Sequence, residues 1–353
     1  MKRHLRCVVS AVAAVLLMIG TAEYTLNVGK ETKIYYKPVQ LTAQSDVIVQ
    51  DFIHDNYVIS ERNPWTDYNL HPVNYSSADG SQNFKESISA EAAILVDVES
   101  GTIAYEKNSD KKMYPASTTK LMTALTVLQT MRLNDVVTVG GEVNMIAPDS
   151  SKAGFAKGQM VTVEELLEGL LISSGNDAAY ILAKAAGQAI LENNIANEGR
   201  TFSDAQCVQR FVFEMNKNVR DMELENTNFT SPDGYDDKEQ YTTASDLSKI
   251  AVEAYNNDAI MRICKNSKKY SQTLNRMWAS TNELLNKNGR YYYKYCLGMK
   301  TGSTDLAGKC LVSAAEKDGV ICLSVVLNDK TDEQRWGDSI KLLNYGLGRK
   351  SDN

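Results

Sequence analysis

"LGMKTGSTDLAGKCLVSAAEKDGVICLSVVLND" (Leu297–Asp329) is read as successive β-strands: apolar runs broken by turns at "DLAG" and "EKDG". Beyond it, "QRWGDSIKLLNYGL" (334–347) closes the chain with a helix. Before it come helical patterns. "TTASDLSKIAVEAY" (242–255) is amphipathic, and "VTVEELLEGLLISSGNDAAYILAKAAGQAI" (161–190) holds two helices around a Ser-Gly-Asn break. Thr162 and Glu165 have the spacing of a capping box at the first of these. "YPASTTKLMTALTVL" (114–128) becomes helical from Leu121, with Leu121, Leu125 and Leu128 on one stripe and Pro115 just ahead. Furthest out, "EAAILVDVESGTIAYEKN" (91–108) is a hairpin pattern around "ESG". Strands, then helices, then strands and a helix imply an α+β or α/β domain whose sheet joins both chain ends.

The N-terminus has a different texture. "MKRHLRCVVSAVAAVLLMIGTAEY" places Lys2, Arg3 and Arg6 before an apolar run from Cys7 to Ile19, the layout of an export signal. Gly20 and Ala22 are small enough for a cleavage site, and Leu5–Ala22 is also just long enough for an uncleaved anchor. Residues 23–87 are rich in Tyr, Asn, Asp and Ser and are read as a loop-rich spacer, with one short strand at "SDVIVQDF" (45–52). The expected organisation is therefore a leader at 1–22, a spacer at 23–87 and a folded domain at 88–353.

Composition narrows the chemistry. The net charge of −6 makes nucleic acid an unsuitable partner. No CxxC or histidine-rich cluster suggests a metal, and no cofactor is expected. Six cysteines, at 7, 207, 264, 296, 310 and 322, are spread out and do not form a disulfide framework pattern. The three histidines are His4, His54 and His71, all before residue 88. A Ser-His-Asp triad or Cys-His dyad drawn from residues 88–353 is thereby excluded. A hydrolase here needs another base.

Lys120 is that candidate. It stands three residues after Ser117, and residues three apart share a helix face. A neutral lysine takes a proton from a hydroxyl once burial lowers its pKa. S-x-x-K alone is weak, and a second copy at Ser109–Lys112 lies in the charged turn "KNSDKK". S-x-N also occurs twice, at Ser81 and at Ser174, of which the second sits between two helices. "KTG" occurs once, at Lys300–Gly302.

The set S-T-T-K, S-G-N and K-T-G, in that order, is far more specific than its members. With "AAILVDVESGTIAYEKN", "VTVEELLEGLLISSGNDAA", "SPDGYDDKEQYTTASDLSKIA" and "GMKTGSTDLAGKCLVSAA", the sequence from about 88 to 350 resembles the serine-type D-alanyl-D-alanine carboxypeptidases, low-molecular-mass penicillin-binding proteins of peptidase family S11. The resemblance implies a penicillin-binding, β-lactamase-like α+β fold, with an antiparallel sheet flanked by helices and a helical subregion. It implies peptidoglycan stem peptides ending in D-Ala-D-Ala as substrate and β-lactams as covalent inhibitors. By motif position, Ser117 is the nucleophile and Lys120 its base. Ser174 and Asn176 relay a proton and orient substrate, and Lys300 supports the site potential. Thr301 contacts the terminal carboxylate, Gly302 admits the substrate backbone, and the N–H groups of Ser117 and Ser303 form the oxyanion hole. Arg335 falls where the family often carries an arginine that helps fix the carboxylate.

Unlike many relatives, the sequence has no β-rich domain or amphipathic helix after "LLNYGLG", so the N-terminal segment is the expected membrane link, on the outer face of the cell membrane or in the wall space. Two other readings stay open. A β-lactamase of the same fold needs a deacylating glutamate, for which Glu214 in "FVFEMNKNVRDMELEN" is the candidate, although Phe211 and Met215 make that segment an ordinary amphipathic helix. A non-catalytic wall-binding module has no need to retain Ser117, Lys120 and Lys300 together.

Overall fold

A computed structural model of the chain describes residues 24–27, 33–36, 68–77 and 84–348. The leader and the strand expected at 45–52 lie outside the described residues. The chain divides into two compact units, 1–62 and 63–353. Within the first, β1 (Tyr24–Asn27) pairs antiparallel with β2 (Lys33–Tyr36).

The second unit extends back beyond residue 88, where the sequence placed its start. β3 (Ser76–Ser77) pairs in parallel with β5, while Leu70 is buried and the Tyr75 hydroxyl meets Ser248 Oγ at 2.9 Å. Phe84 packs its ring against Tyr105 and Tyr345. Tyr and Phe anchors thus bind part of the expected spacer to the domain. Their spacing has no helix or strand period, which hid them in the sequence.

β4 (Ala92–Asp97) and β5 (Thr102–Lys107) form the expected hairpin, with Asp97 Oδ1 accepting from the N–H groups of Glu99 and Ser100 in the turn. Helices follow: α1 (Lys120–Thr130), then β6 (Val136–Thr138) and β7 (Met160–Thr162) as a small ribbon, then α2 (Val163–Leu171), α3 (Asn176–Glu192), α4 (Asp204–Asp221), α5 (Ala244–Asn256) and α6 (Asp258–Cys264). A second ribbon, β8 (Lys268–Ser271) and β9 (Arg276–Ala279), leads to β10 (Cys296–Thr304), β11 (Gly308–Lys317), β12 (Val320–Asp329) and α7 (Asp332–Gly348). The β11–β12 turn has Asp318 at φ 51° and Gly319 at φ 84°, the left-handed pair that a two-residue hairpin requires.

The main sheet runs β10-β11-β12-β4-β5-β3, antiparallel except at the β3–β5 pair. It joins both ends of the domain, as expected. Successive β4 side chains alternate between two cores. Ile94 and Val96 join the helical core with Leu121, Leu125 and Leu166, whereas Ala93 and Leu95 pack with Trp336, Leu342 and Leu343 of α7. A sheet covered on both faces explains why "AAILV" is continuously apolar. α1 is buried along almost its whole length, and its threonine hydroxyls find internal carbonyls: Thr126 bonds Met122 O and Thr123 bonds Pro232 O.

One local expectation is half met. Thr162 Oγ1 caps α2 by accepting from Glu165 N at 3.2 Å. The Glu165 carboxylate, however, accepts from Ser271 Oγ, Thr273 N and Thr273 Oγ1. Three donors across the β8–β9 ribbon outcompete the single N–H that closes a capping box.

Candidate active site

Ser117 lies in a 3-10 turn, Ala116–Thr119, which runs directly into α1. Ala116 enters the turn at φ 49°, a left-handed conformation that costs a non-glycine residue about 1–3 kcal/mol. Gly234 lies against it so closely that a Cβ there would stand 1.9 Å from Ala116 O. Ser174 and Met299 also have positive φ, 61° and 103°. Each of the three motifs therefore contains, or is entered through, one strained residue, as surrounding structure imposes at sites.

Lys120 is wholly buried. Its Nζ lies within hydrogen-bond reach of Ser117 Oγ (2.8 Å), Asn176 Oδ1 (2.7 Å) and Asp233 O (2.9 Å). Burial lowers its pKa to about 8, against the opposing pull of the Asp233 and Asp177 carboxylates. A minor fraction is then neutral near physiological pH and able to take the Ser117 proton.

Ser174 and Asn176 bracket the break between α2 and α3. Lys300 Nζ donates to Ser174 Oγ at 2.8 Å and to Thr301 O at 2.9 Å. It too is wholly buried, and both burial and the neighbouring Lys120 push its pKa well down. Two buried lysines thus face one serine each, on the two sides of the site.

The sequence reading missed Asp177. Its carboxylate accepts from the N–H groups of Ala153, Gly154 and Phe155 at 2.8, 2.7 and 3.0 Å, while Asn176 N donates to Ser151 O. This strut ties the loop before β7 to the start of α3 and so fixes Asn176 opposite Lys120. An acid in the first turn of a helix was a visible signal. Its partners, more than twenty residues away, were not.

β10 is an edge strand of the sheet and runs past the Ser117 turn. A Cβ at Gly302 would stand 2.9 Å from Pro115 O and 3.2 Å from Ser117 N, so glycine permits the approach. Thr301 Oγ1 meets Thr281 Oγ1 at 2.6 Å, and Ser303 Oγ accepts from Lys309 Nζ. Arg335, on α7, is 8% exposed; its guanidinium donates to Gly302 O (3.0 Å) and Cys310 O (3.4 Å) and pairs with Asp332 at 2.6 Å. It braces the strand carbonyls around the motif.

Other candidates fall away from this cluster. Ser109 bonds Glu106, and Lys112 stacks over Tyr241. Glu214 pairs with Arg210 and Lys217 along α4.

Comparison with known proteins identifies the family. The family model for D-alanyl-D-alanine carboxypeptidases, peptidase S11, matches residues 78–190 and 205–331. The chain belongs to this family. A D-alanyl-D-alanine carboxypeptidase of Streptomyces sp. (strain K15) is 32% identical over 74% of this chain and 89% of that protein. One from Haemophilus influenzae is 34% identical over 74% of this chain and 62% of its own length. The crystal structure of the Streptomyces K15 DD-transpeptidase superposes with a TM-score of 0.67 at 32% identity, covering 75% of this chain and 99% of that one. The penicillin-binding fold expected from the motifs is the fold of this S11 carboxypeptidase.

Proposed function

We propose that this D-alanyl-D-alanine carboxypeptidase removes the terminal D-Ala of peptidoglycan stem peptides through an acyl-enzyme on Ser117. The observation that carries the reading is the 2.8 Å contact between Ser117 Oγ and a fully buried amine. Lys120 takes the hydroxyl proton as Oγ attacks the penultimate D-Ala carbonyl carbon. The oxyanion develops between the N–H groups of Ser117 and Ser303, and the close passage of β10 by Ser117 N supports that assignment. The C–N bond breaks as the terminal D-Ala nitrogen receives a proton relayed by Ser174, whose hydroxyl is held by Lys300. Water then hydrolyses the ester, with Lys120 again accepting a proton. Asn176 orients the lysine and the substrate amide. Thr301 binds the terminal carboxylate; Arg335 adds positive potential and holds Gly302, along which the substrate backbone lies. A β-lactam follows the same first step and stays as the ester.

Incubation of the purified protein with a peptide ending in D-Ala-D-Ala, with products identified by mass, tests this. Release of a single D-Ala and a penicillin adduct on the Ser117 peptide are expected. Absence of both overturns the reading.

The site acts on wall peptides, so the chain must be exported. We propose that residues 1–22 direct export and connect the enzyme to the outer membrane face; their basic-then-apolar pattern supports this. Among the described residues no helix is long and apolar enough to cross a membrane. N-terminal sequencing of protein from native membranes decides the anchor. A mature chain starting near Glu23 in the soluble fraction ends that part of the proposal and leaves the catalytic reading intact.

A further inference from the structure

The surface beside the cleft carries a charge opposite to that of the chain. Residues 259–295 hold eight Lys and Arg against a single acid, Glu283, in a protein of net charge −6. Two of these cations, Arg262 and Lys269, are paired with Glu164 and Glu168. Lys265 and Lys268 are exposed and make no ion pair among the described residues, whereas Arg276 lies on the other side of the ribbon, against Gly154. The β8–β9 register sets Tyr270 opposite Met277 and Lys268 opposite Ala279. One face of the ribbon therefore presents Lys268, Tyr270 and Met277 together, with Tyr270 40% and Met277 56% exposed. Single exposed apolar residues are ordinary, but here a cross-strand pair stands beside an exposed lysine on one face.

The opposite face fixes where this surface lies. Trp278 is buried, donates Nε1–H to Ala153 O at 2.9 Å and packs edge-on against Phe155. Just past the ribbon, Thr281 donates its N–H to Ile172 O and meets Thr301 at the hydroxyl. Those contacts tie the ribbon to both walls of the site: the loop held by Asp177 and the strand carrying Lys300.

We propose that the Lys268–Tyr270–Met277 face, with Lys265 just ahead of it in the chain, is an extended binding surface for polymeric peptidoglycan, which holds wall strands against the cleft. The inference rests on the carboxypeptidase reading. Every unprocessed stem ends in a carboxylate, so a strand is a string of anions. Cations beside a cleft raise the local concentration of such a polymer, over a range that salt limits to about 8 Å at physiological strength. Tyrosine adds rigid contact area at low entropic cost. A short free peptide ends within the cleft and gains nothing from the ribbon. The surface therefore selects polymer over fragment.

The test compares wild type with a Lys265→Glu/Lys268→Glu variant and, separately, with Tyr270→Ser/Met277→Ser. Three quantities are read: co-sedimentation with sacculi stripped of attached acidic polymers, D-Ala release from those sacculi against release from a soluble D-Ala-D-Ala peptide, and the rate of penicillin acylation. Sacculus binding and D-Ala release from sacculi should fall at least tenfold in the charge variant, and added salt should reproduce the loss in wild type. Soluble-peptide and penicillin rates should stay within twofold. Unchanged sacculus binding in both variants overturns the proposal. So does an equal loss on soluble and polymeric substrate. Selective loss of binding to phosphatidylglycerol vesicles, with sacculus binding retained, assigns the face to a lipid surface and also overturns it. Failure of wild type to cleave the soluble peptide overturns the functional reading instead, and sacculus binding still decides the surface.

Discussion

Lys120 and Asp329 are both wholly buried ionisable side chains, yet their surroundings are opposites. The Lys120 amine touches a hydroxyl, a carboxamide oxygen and a carbonyl, all within 2.9 Å. Among the described residues, neither carboxylate oxygen of Asp329, at the end of β12, has a hydrogen-bond partner. Burial moves both groups towards their neutral forms, Lys120 down to about 8 and Asp329 up to about 7. A displaced pKa is therefore shared by the proposed base and by a carboxyl that belongs to none of the sequence motifs. What separates them is partnering: Lys120 is aimed at the Ser117 hydroxyl, the proposed nucleophile, whereas the charged groups acting on Asp329 are Asp338, Lys107, Lys341 and Arg335.

The largest effects should come from breaking the partnered side. Ser117→Ala should abolish the penicillin adduct in mass spectrometry while circular dichroism stays native, because alanine fits a helix-entry turn. An adduct on the alanine variant removes Ser117 as nucleophile. Lys120→Arg keeps the charge but cannot release its proton, and acylation should fall by about 10³-fold or more, in the range that general bases contribute. In wild type, stopped-flow acylation should rise with pH through about 8, as neutral Lys120 accumulates. A flat profile across pH 7–9 contradicts the base role.

Asp329→Asn sharpens the other side. The native state keeps this carboxyl protonated up to about pH 7, whereas the unfolded chain gives up its proton from about pH 4. Stability from this group is thus full in acid and is lost as pH rises from about 4 through 7. Asparagine stays neutral throughout. The variant should match wild type at pH 4 and exceed it at pH 8 by about 2 kcal/mol, discounted for partial screening. Thermal melts at the two pH values read the difference, and an equal offset at both contradicts an unpartnered carboxylate. The smallest effect is expected at Glu214. It is already paired with Arg210 and Lys217, so Glu214→Gln should leave release of the penicilloyl ester unchanged. Slower release revives the β-lactamase reading.

The legible part of this protein was local or periodic. Ser117 and Lys120 are three residues apart, so one turn of backbone brings them together whatever else the chain does. The doubly covered sheet left continuous apolar runs, and the Asp-Gly turn at 318–319 revealed its hairpin. Tertiary structure alone decided the rest. Asp233 O reaches Lys120 across 113 positions of sequence, and Asp177 braces a loop more than twenty residues upstream. Arg335 turns out to grip Gly302 and Cys310 carbonyls, Glu165 leaves its expected cap for Ser271 and Thr273, and Tyr75 and Phe84 bind a stretch without periodicity to the domain. Side-chain spacing records which face a residue occupies. It holds no record of which distant backbone carbonyl or N–H that face will meet, because every residue carries the same backbone groups and packing alone chooses among them.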